Sequence, residues 1–192
     1  MCLCGESAFA APITAFYFTG SSTSFVAAGQ TATLTPAAGY SFSPALGVHF
    51  PGDASPDYVE VDVTNFPIGQ WWFLDFAVPQ GQALAVGTYL NATRYPFELS
   101  TAPGLSFVGD GRGDNQLTGY FTILDITIVG GQLSSFAADF TQFDENQQAW
   151  WNYGSIRYNS TIALNLATEP STFALLAVGL IATIIGRRRI YY

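Results

Sequence analysis

The sequence contains no lysine, and charged residues of any kind are scarce. All six basic residues of the 192-residue chain are arginines, against 14 acidic residues, which gives a formal net charge of −8. Three arginines form one C-terminal cluster, so residues 1–168 hold only three arginines among 13 acids. A surface of this kind repels phosphate backbones, which excludes nucleic acid as a partner.

Histidine and cysteine are also scarce. With His49 as the only histidine, no Ser-His-Asp or Cys-His catalytic set can be assembled. Cys2 and Cys4 both precede Ala8-Phe9-Ala10, which reads as a signal-peptide cleavage site. We interpret residues 1–10 as the remnant of a signal peptide, with the disordered N-terminus as the alternative. The body of the protein then has no disulfide and no thiolate metal site.

Alternation with a period of two dominates residues 11–166 and predicts β-strands. In Val59–Thr64 the three valines face one way, and turn residues separate this run from the next. Eight or nine short strands without a helical pattern predict an all-β fold, an antiparallel β-sandwich or jelly roll in one domain. The apolar faces that we expect inside include Trp72, Leu74, Phe76 and Val78; Leu124, Ile126 and Ile128; Phe136, Ala138 and Phe140; and Ile156, Tyr158, Ile162 and Leu164.

An uninterrupted apolar run, Phe173–Ile185, precedes the arginine cluster. It has no polar face, which favours a helix at 173–186 surrounded by apolar matter. Thirteen helical residues reach roughly 20 Å, so this segment would be a short transmembrane helix with its arginines on the cytoplasmic side. The alternative is a C-terminal helix buried in a globular core.

Glu169-Pro170-Ser171, the apolar run and the arginines Arg187, Arg188 and Arg189 together resemble the PEP-CTERM protein-sorting signal of Gram-negative bacteria. Thr168 stands where that family usually has its first proline. The resemblance implies that residues 167–192 are a sorting signal, that an exosortase-type membrane enzyme is a partner, and that the protein is exported. It also implies transient anchoring in the membrane, followed by delivery to the cell surface or extracellular matrix.

The body resembles an uncharacterised bacterial extracytoplasmic domain along the segments 92–97, 112–119, 136–140 and 154–160. That family's pattern has cysteines where this chain has Asp114 and Asp144. If those cysteines form a disulfide, the resemblance implies that the two carboxylates lie close together. They could then hold Ca²⁺ with the help of Asp110, Asn115 and Glu145. The alternative is that these are solvated loop acids that point apart.

Two tryptophan pairs are the other candidate site. Adjacent strand residues face opposite sides, so one residue of each pair should point outward. Trp71, Trp72, Trp150 and Trp151 could therefore stack on sugar rings of a polysaccharide, although buried or edge-packed tryptophan is the more common arrangement. Arg94 and Arg157 lie within strand runs, and we expect each to pair with an acid such as Asp75, Asp125 or Asp139.

These patterns favour an exported, non-enzymatic surface or matrix protein of structural or adhesive role, with no cofactor. A carbohydrate- or Ca²⁺-binding module in the same location is the first alternative. An exported hydrolase is the weaker alternative, and it would require two close carboxylates in a cleft.

Overall fold

A computed structural model describes residues 10–166 of the chain. The predictions for residues 1–9, for the sorting signal and for the transmembrane helix lie outside these residues. The described part forms ten strands: β1 Ile13–Gly20, β2 Thr31–Leu34, β3 Ser41–Gly47, β4 Tyr58–Asn65, β5 Gln70–Ala77, β6 Gly87–Arg94, β7 Gly104–Gly109, β8 Leu117–Val129, β9 Gln132–Asp144 and β10 Trp151–Ser160. Its helical structure is limited to two single 3₁₀ turns, Pro36–Ala38 and Phe66–Ile68.

All ten strands belong to one sheet with the order β2-β1-β10-β9-β8-β6-β7-β5-β4-β3. The pairings are antiparallel except for a two-residue parallel contact between β6 and β7. The sheet curls until its edge strand β3 lies against β9. The all-β prediction is therefore confirmed, while the expected sandwich of two sheets is replaced by one sheet folded over itself.

The core lies between the two halves of the curled sheet and is rich in aromatic rings. Phe107 of β7 packs against Phe16 and Phe140 of the opposite half, with ring centroids 5.7 and 5.4 Å apart. Phe18 meets Trp72 at 4.5 Å. These inward residues alternate with outward ones along each strand, which confirms the period-two interpretation for β4, β5 and β9.

Three details of the strand prediction are wrong. Strands β3 and β7 were not expected, because Pro44, Gly104 and Gly109 weaken their strand pattern, although proline is tolerated on an edge strand such as β3. A bulge between Ile123 and Asp125 shifts the register of β8. It places Phe121 and Ile123 in the core in place of Leu124.

The third error concerns the end of the domain. We expected the last strand to continue to Leu164, but β10 ends at Ser160. Asn159 has a positive φ of 49°, and the chain then turns back along β10. We call residues 161–166 the strap.

Four loops meet at one end of the sheet, which we call the exit end: 21–30, 66–69, 110–116 and 145–150. Hydrogen bonds join them: Thr23 Oγ1 donates to Ala149 O at 3.0 Å, and Asn115 N donates to Glu145 Oε1 at 2.7 Å. Loop 110–116 also holds the strand that follows loop 66–69, since Trp71 N donates to Asp110 Oδ1 at 3.0 Å. Within residues 10–166, no helix is both long and apolar enough to span a bilayer.

Candidate functional site

Asp144, the last residue of β9, is fully buried and accepts hydrogen bonds from several segments. Its Oδ2 accepts from the Phe25 and Val26 amides at 2.7 and 3.1 Å and from Ser24 Oγ at 2.9 Å. Its Oδ1 accepts from Asn152 Nδ2 at 2.5 Å. These donors satisfy both oxygens of the carboxyl group and tie loop 21–30 to β9 and β10.

Asp114 lies beside Asp144, so the structure brings the two aspartates together. Gln142 bridges them, with Nε2 2.9 Å from Asp114 Oδ2 and 3.4 Å from Asp144 Oδ1. Burial raises the pKa of Asp114 to about 8, and the charge of Asp144 and a hydrogen bond between the two carboxyl groups act in the same direction. Asp114 therefore binds its proton more tightly in the folded protein than an exposed aspartate does.

The other predicted cation ligands do not join this pair. Asp110 accepts from the Trp71 amide, and Glu145 accepts from the Asn115 amide. In the part of the chain that the structure describes, no group of three or more His, Cys, Asp or Glu side chains is arranged to hold a metal ion. Calcium binding here stays a prediction, and the geometry shows these carboxylates occupied by protein donors.

The pair Trp71 and Trp72 divides as strand alternation requires, whereas neither residue of the pair Trp150 and Trp151 is buried. Trp72 is 2% exposed and packs in the core, whereas Trp71 is half-buried on the outer face, where its ring lies 4.8 Å from that of Phe73. Trp151 is half-buried, and Trp150 at the tip of its loop is exposed. The outer face of β5 therefore presents an aromatic pair, Trp71 and Phe73, of which the sequence analysis singled out only the first.

A second acidic group, which the sequence analysis did not single out, lies beside this aromatic pair. Glu60 and Asp62 of β4 and Asp75 of β5 alternate with buried residues and so point outward. Glu60 stands directly opposite Asp75, and Asp62 stands opposite Phe73. Cβ atoms of such pairs are about 4.5–5.5 Å apart. We call Glu60, Asp62 and Asp75 the acidic strip.

The three carboxyl groups of the acidic strip all have raised pKa values. Burial raises the pKa of Asp75 to about 7; the Glu60 charge adds to this effect, and a hydrogen bond with Ser106 opposes it. Burial also raises the pKa of Glu60, assisted by the charge of Asp62, and burial raises that of Asp62. The salt bridges of the described residues are His49–Glu98 and Arg157–Asp139, so the strip has no cationic partner among residues 10–166.

Glu98 lies next to the strip on the same outer face. Its side chain is fully buried, and Oε1 approaches His49 Nε2 at 3.3 Å. The carboxylate covers Gly104, where a Cβ atom would come within 2.5 Å of Oε1. Burial raises the pKa of Glu98, and the His49 charge opposes that shift. A glycine in the strand is therefore what makes room for this acid.

The two strand arginines behave differently from each other. Arg157 is 1% exposed and pairs with Asp139 at 2.9 Å, as expected. The expectation for Arg94 is wrong, since its guanidinium donates to Asn115 O at 3.0 Å and lies over the Phe97 ring. Arginine can satisfy its donors on backbone carbonyls and aromatic faces as well as on carboxylates.

Arg157 also holds the strap. Its Nε donates to Ile162 O and Ala163 O at 3.2 and 3.0 Å. Farther along, Asn165 N donates to Ser155 Oγ at 3.0 Å, and Tyr153 Oη donates to Asn165 O at 3.3 Å. The strap thus runs antiparallel to β10, from Arg157 towards the exit end.

The structure therefore defines an all-β domain whose last segment is fastened back onto the sheet and leads directly into the C-terminal signal. Residues 167–189 match the family model of the PEP-CTERM protein-sorting motif. The chain thus carries this sorting motif at its C-terminus, and the motif implies an exported protein that is sorted through exosortase at the membrane. Comparison with curated proteins and with solved structures finds no significant match. The resemblance of the body to an extracytoplasmic domain stays a prediction.

Proposed function

We propose that this protein is a non-catalytic cell-surface or extracellular-matrix component. In this proposal the apolar run Phe173–Ile185 holds the β domain at the outer side of the membrane until exosortase acts on the Glu169-Pro170-Ser171 motif. The observation that carries the proposal is the position of the motif at 167–189, directly after the strap. The aromatic-rich core and the hydrogen bonds that join the loops of the exit end support a structural or adhesive role for the domain.

Sorting can be tested in the native host with an epitope placed in the far hairpin at Gly130-Gly131. We expect the wild-type chain at the cell surface or in the matrix, and membrane-retained in a strain that lacks exosortase. Pro170→Ala should reproduce the retention, and Pro67→Ala, a change within the domain, is the matched control. Unchanged surface delivery without exosortase would contradict the proposal.

A carbohydrate-binding role is the second candidate, and the outer face of β4 and β5 favours it. There the half-buried rings of Trp71 and Phe73 stand beside the carboxylates of the acidic strip. Aromatic faces that stack on sugar rings and carboxylates that accept from sugar hydroxyls are complementary to a polysaccharide. Isothermal titration against the host's own exopolysaccharide tests this role. Trp71→Ala should abolish binding, and Tyr120→Ala, on the outer face of β8, should not.

The exported hydrolase remains the weaker proposal. Its two close carboxylates would be Glu60 and Asp75, which are directly paired across the strands and have raised pKa values. Release of reducing sugar from the same polysaccharide, lost in both Glu60→Gln and Asp75→Asn, would support catalysis over binding.

A further inference from the structure

The loops of the exit end carry exposed apolar side chains at their tips. Phe25 is 54% exposed, Phe66 74%, Ile68 62% and Trp150 36%. They come from three different loops that one end of the sheet brings together. Exposure alone does not select this end, because Val129, in the hairpin at the opposite end of β8, is 63% exposed.

The strap does select the exit end. It is fixed at Arg157, then at Ser155, and finally at Tyr153, so it travels along β10 towards Trp151. The described chain therefore leaves the domain beside the first residues of β10, next to the loop that carries Trp150.

The distance from this point to the apolar run is short. Phe173 is eight residues after Asn165, and a fully extended chain covers about 3.3–3.6 Å per residue. The apolar run therefore begins within roughly 30 Å of the strap's last anchor. By contrast, the 13 residues of β8 alone span about 40 Å, which separates the far hairpin from the exit end.

The charge distribution agrees with this orientation. Loops 21–30 and 66–69 contain no charged residue at all. In loop 145–150 the single acid is Glu145, which is hydrogen-bonded to the Asn115 amide. The three loops that carry the exposed apolar side chains thus hold one acid between them. The other charges of the exit end are in loop 110–116, which carries Asp110, Arg112 and Asp114, and Asp110 is hydrogen-bonded to the Trp71 amide.

We propose that the exit end rests on the lipid headgroup region of the membrane, with Phe25, Phe66, Ile68 and Trp150 inserted at the interface. Aromatic residues are favoured at this depth because one side of the ring meets acyl chains and the other meets water. The occupant of the surface is the bilayer that holds the apolar run, so this inference rests on the proposed function. The β domain is then a peripheral membrane module that faces the sorting enzyme in a fixed orientation.

The test uses the full chain, with Cys2 and Cys4 replaced by serine, reconstituted in phosphatidylcholine vesicles. A single cysteine is introduced by Ile68→Cys at the exit end or by Val129→Cys at the far hairpin and labelled with a polarity-sensitive fluorophore. These two positions are matched, since their native side chains are 62% and 63% exposed. Phe25→Cys provides a second exit-end position, and quenching by lipids with doxyl groups at defined depths reports contact with the bilayer.

We expect the labels at Ile68 and Phe25 to shift to shorter wavelength and to be quenched by doxyl lipids, while the label at Val129 stays in water. Equal exposure of all three labels, or quenching only at Val129, would overturn the inference. A wavelength shift without vesicles that grows with protein concentration would assign the surface to a second copy of the chain and would also overturn it. Failure of the protein to float with vesicles would instead refute the membrane anchor of the proposed function.

Discussion

The two acidic clusters of the domain differ in their hydrogen-bond donors more than in their number of carboxylates. Asp144 accepts from backbone and side-chain donors of loop 21–30 and β10, and its neighbour Asp114 accepts from Gln142 Nε2. In the acidic strip, Asp75 has Ser106 as a partner, and Asp62 Oδ1 is buried without one. Aspartate is thus fully satisfied at Asp144 and poorly satisfied on the sheet face.

This contrast separates carboxylates that hold the fold together from carboxylates that are free to bind a ligand. A buried carboxylate that collects several donors fastens the segments that supply them, and it has no acceptor left for a ligand. Carboxylates that repel one another on an outer face lower the stability of the fold and can be relieved by a proton or a ligand. The structural cluster is therefore the one that the sequence analysis assigned to calcium.

The largest loss of stability is expected when Asp144 is replaced. Asp144→Ala leaves the donors of Ser24, Phe25, Val26 and Asn152 without an acceptor, and we expect a loss of about 3–5 kcal/mol in the free energy of unfolding. Urea denaturation measures this loss. Glu145→Ala, which removes one exposed acceptor, is the control and should cost less than about 1 kcal/mol. Equal effects of the two substitutions would show that the Asp144 network is not structural.

The acidic strip should make the stability of the protein depend on pH. Folded Asp75 binds its proton more tightly than unfolded Asp75, because its pKa rises from 3.8 to about 7. Below about pH 4 the Asp75 side chain is protonated in both the folded and the unfolded state and costs no stability. Between about pH 4 and pH 7 the unfolded side chain loses its proton while the folded one keeps it, so the free energy of unfolding falls as the pH rises. Asp75→Asn should raise the free energy of unfolding by about 2–4 kcal/mol at pH 8 and leave it nearly unchanged at pH 4.

Thermal unfolding at both pH values checks this prediction for Asp75. Ser106→Ala, which removes the opposing hydrogen bond, should act in the opposite direction and destabilise the protein at pH 8 more than at pH 4. A Tm for Asp75→Asn that follows the wild type across the whole range would contradict the proposed repulsion.

The smallest effect is expected at Asp114 when stability is measured at low pH. Asp114→Asn keeps a donor towards Asp144 and an acceptor for Gln142, so it should change stability by less than about 1 kcal/mol at pH 4. Since the pKa of Asp114 rises from 3.8 in the unfolded chain to about 8, the wild type loses stability as the pH rises between these values, and the variant should gain on it over this range and no further above it. Asp114→Leu fills a similar volume without these polar groups. Comparing the free energies of unfolding of the two variants therefore separates the effect of polarity from the effect of side-chain volume.

Much of the fold could be predicted from local pattern. Alternation predicted the inward residues of β4 and β5, because these strands bury mainly one face, and those of β9, where the outward Ala137 and Thr141 are buried as well. It failed at β8, where an extra residue in the bulge near Asp125 reverses which side chains face the core. It also failed at β10, because the turn after Asn159 depends on carbonyls drawn towards the buried Arg157, which is a tertiary effect.

The candidate sites could be predicted only where the positions of residues next to each other in the sequence determine the geometry. The opposite orientation of Trp71 and Trp72 follows from adjacency on a strand, and the structure has this arrangement. Glu60 and Asp62 share a face by their spacing, but their meeting with Asp75 needs the register of β4 against β5, which no local signal gives. The proximity of Asp114 and Asp144 came from the family resemblance, whereas the donors that occupy Asp144 come from loop 21–30, far away in the chain.

The strap has a consequence for maturation. Its last anchors, Tyr153 Oη and Ser155 Oγ, hold Asn165, which precedes the sorting motif at 167–189. A protease cut within 167–192 would therefore leave both anchors in the domain. The strap should stay fastened to β10 after processing, so that release from the bilayer changes the location of the domain while its last segment keeps its place.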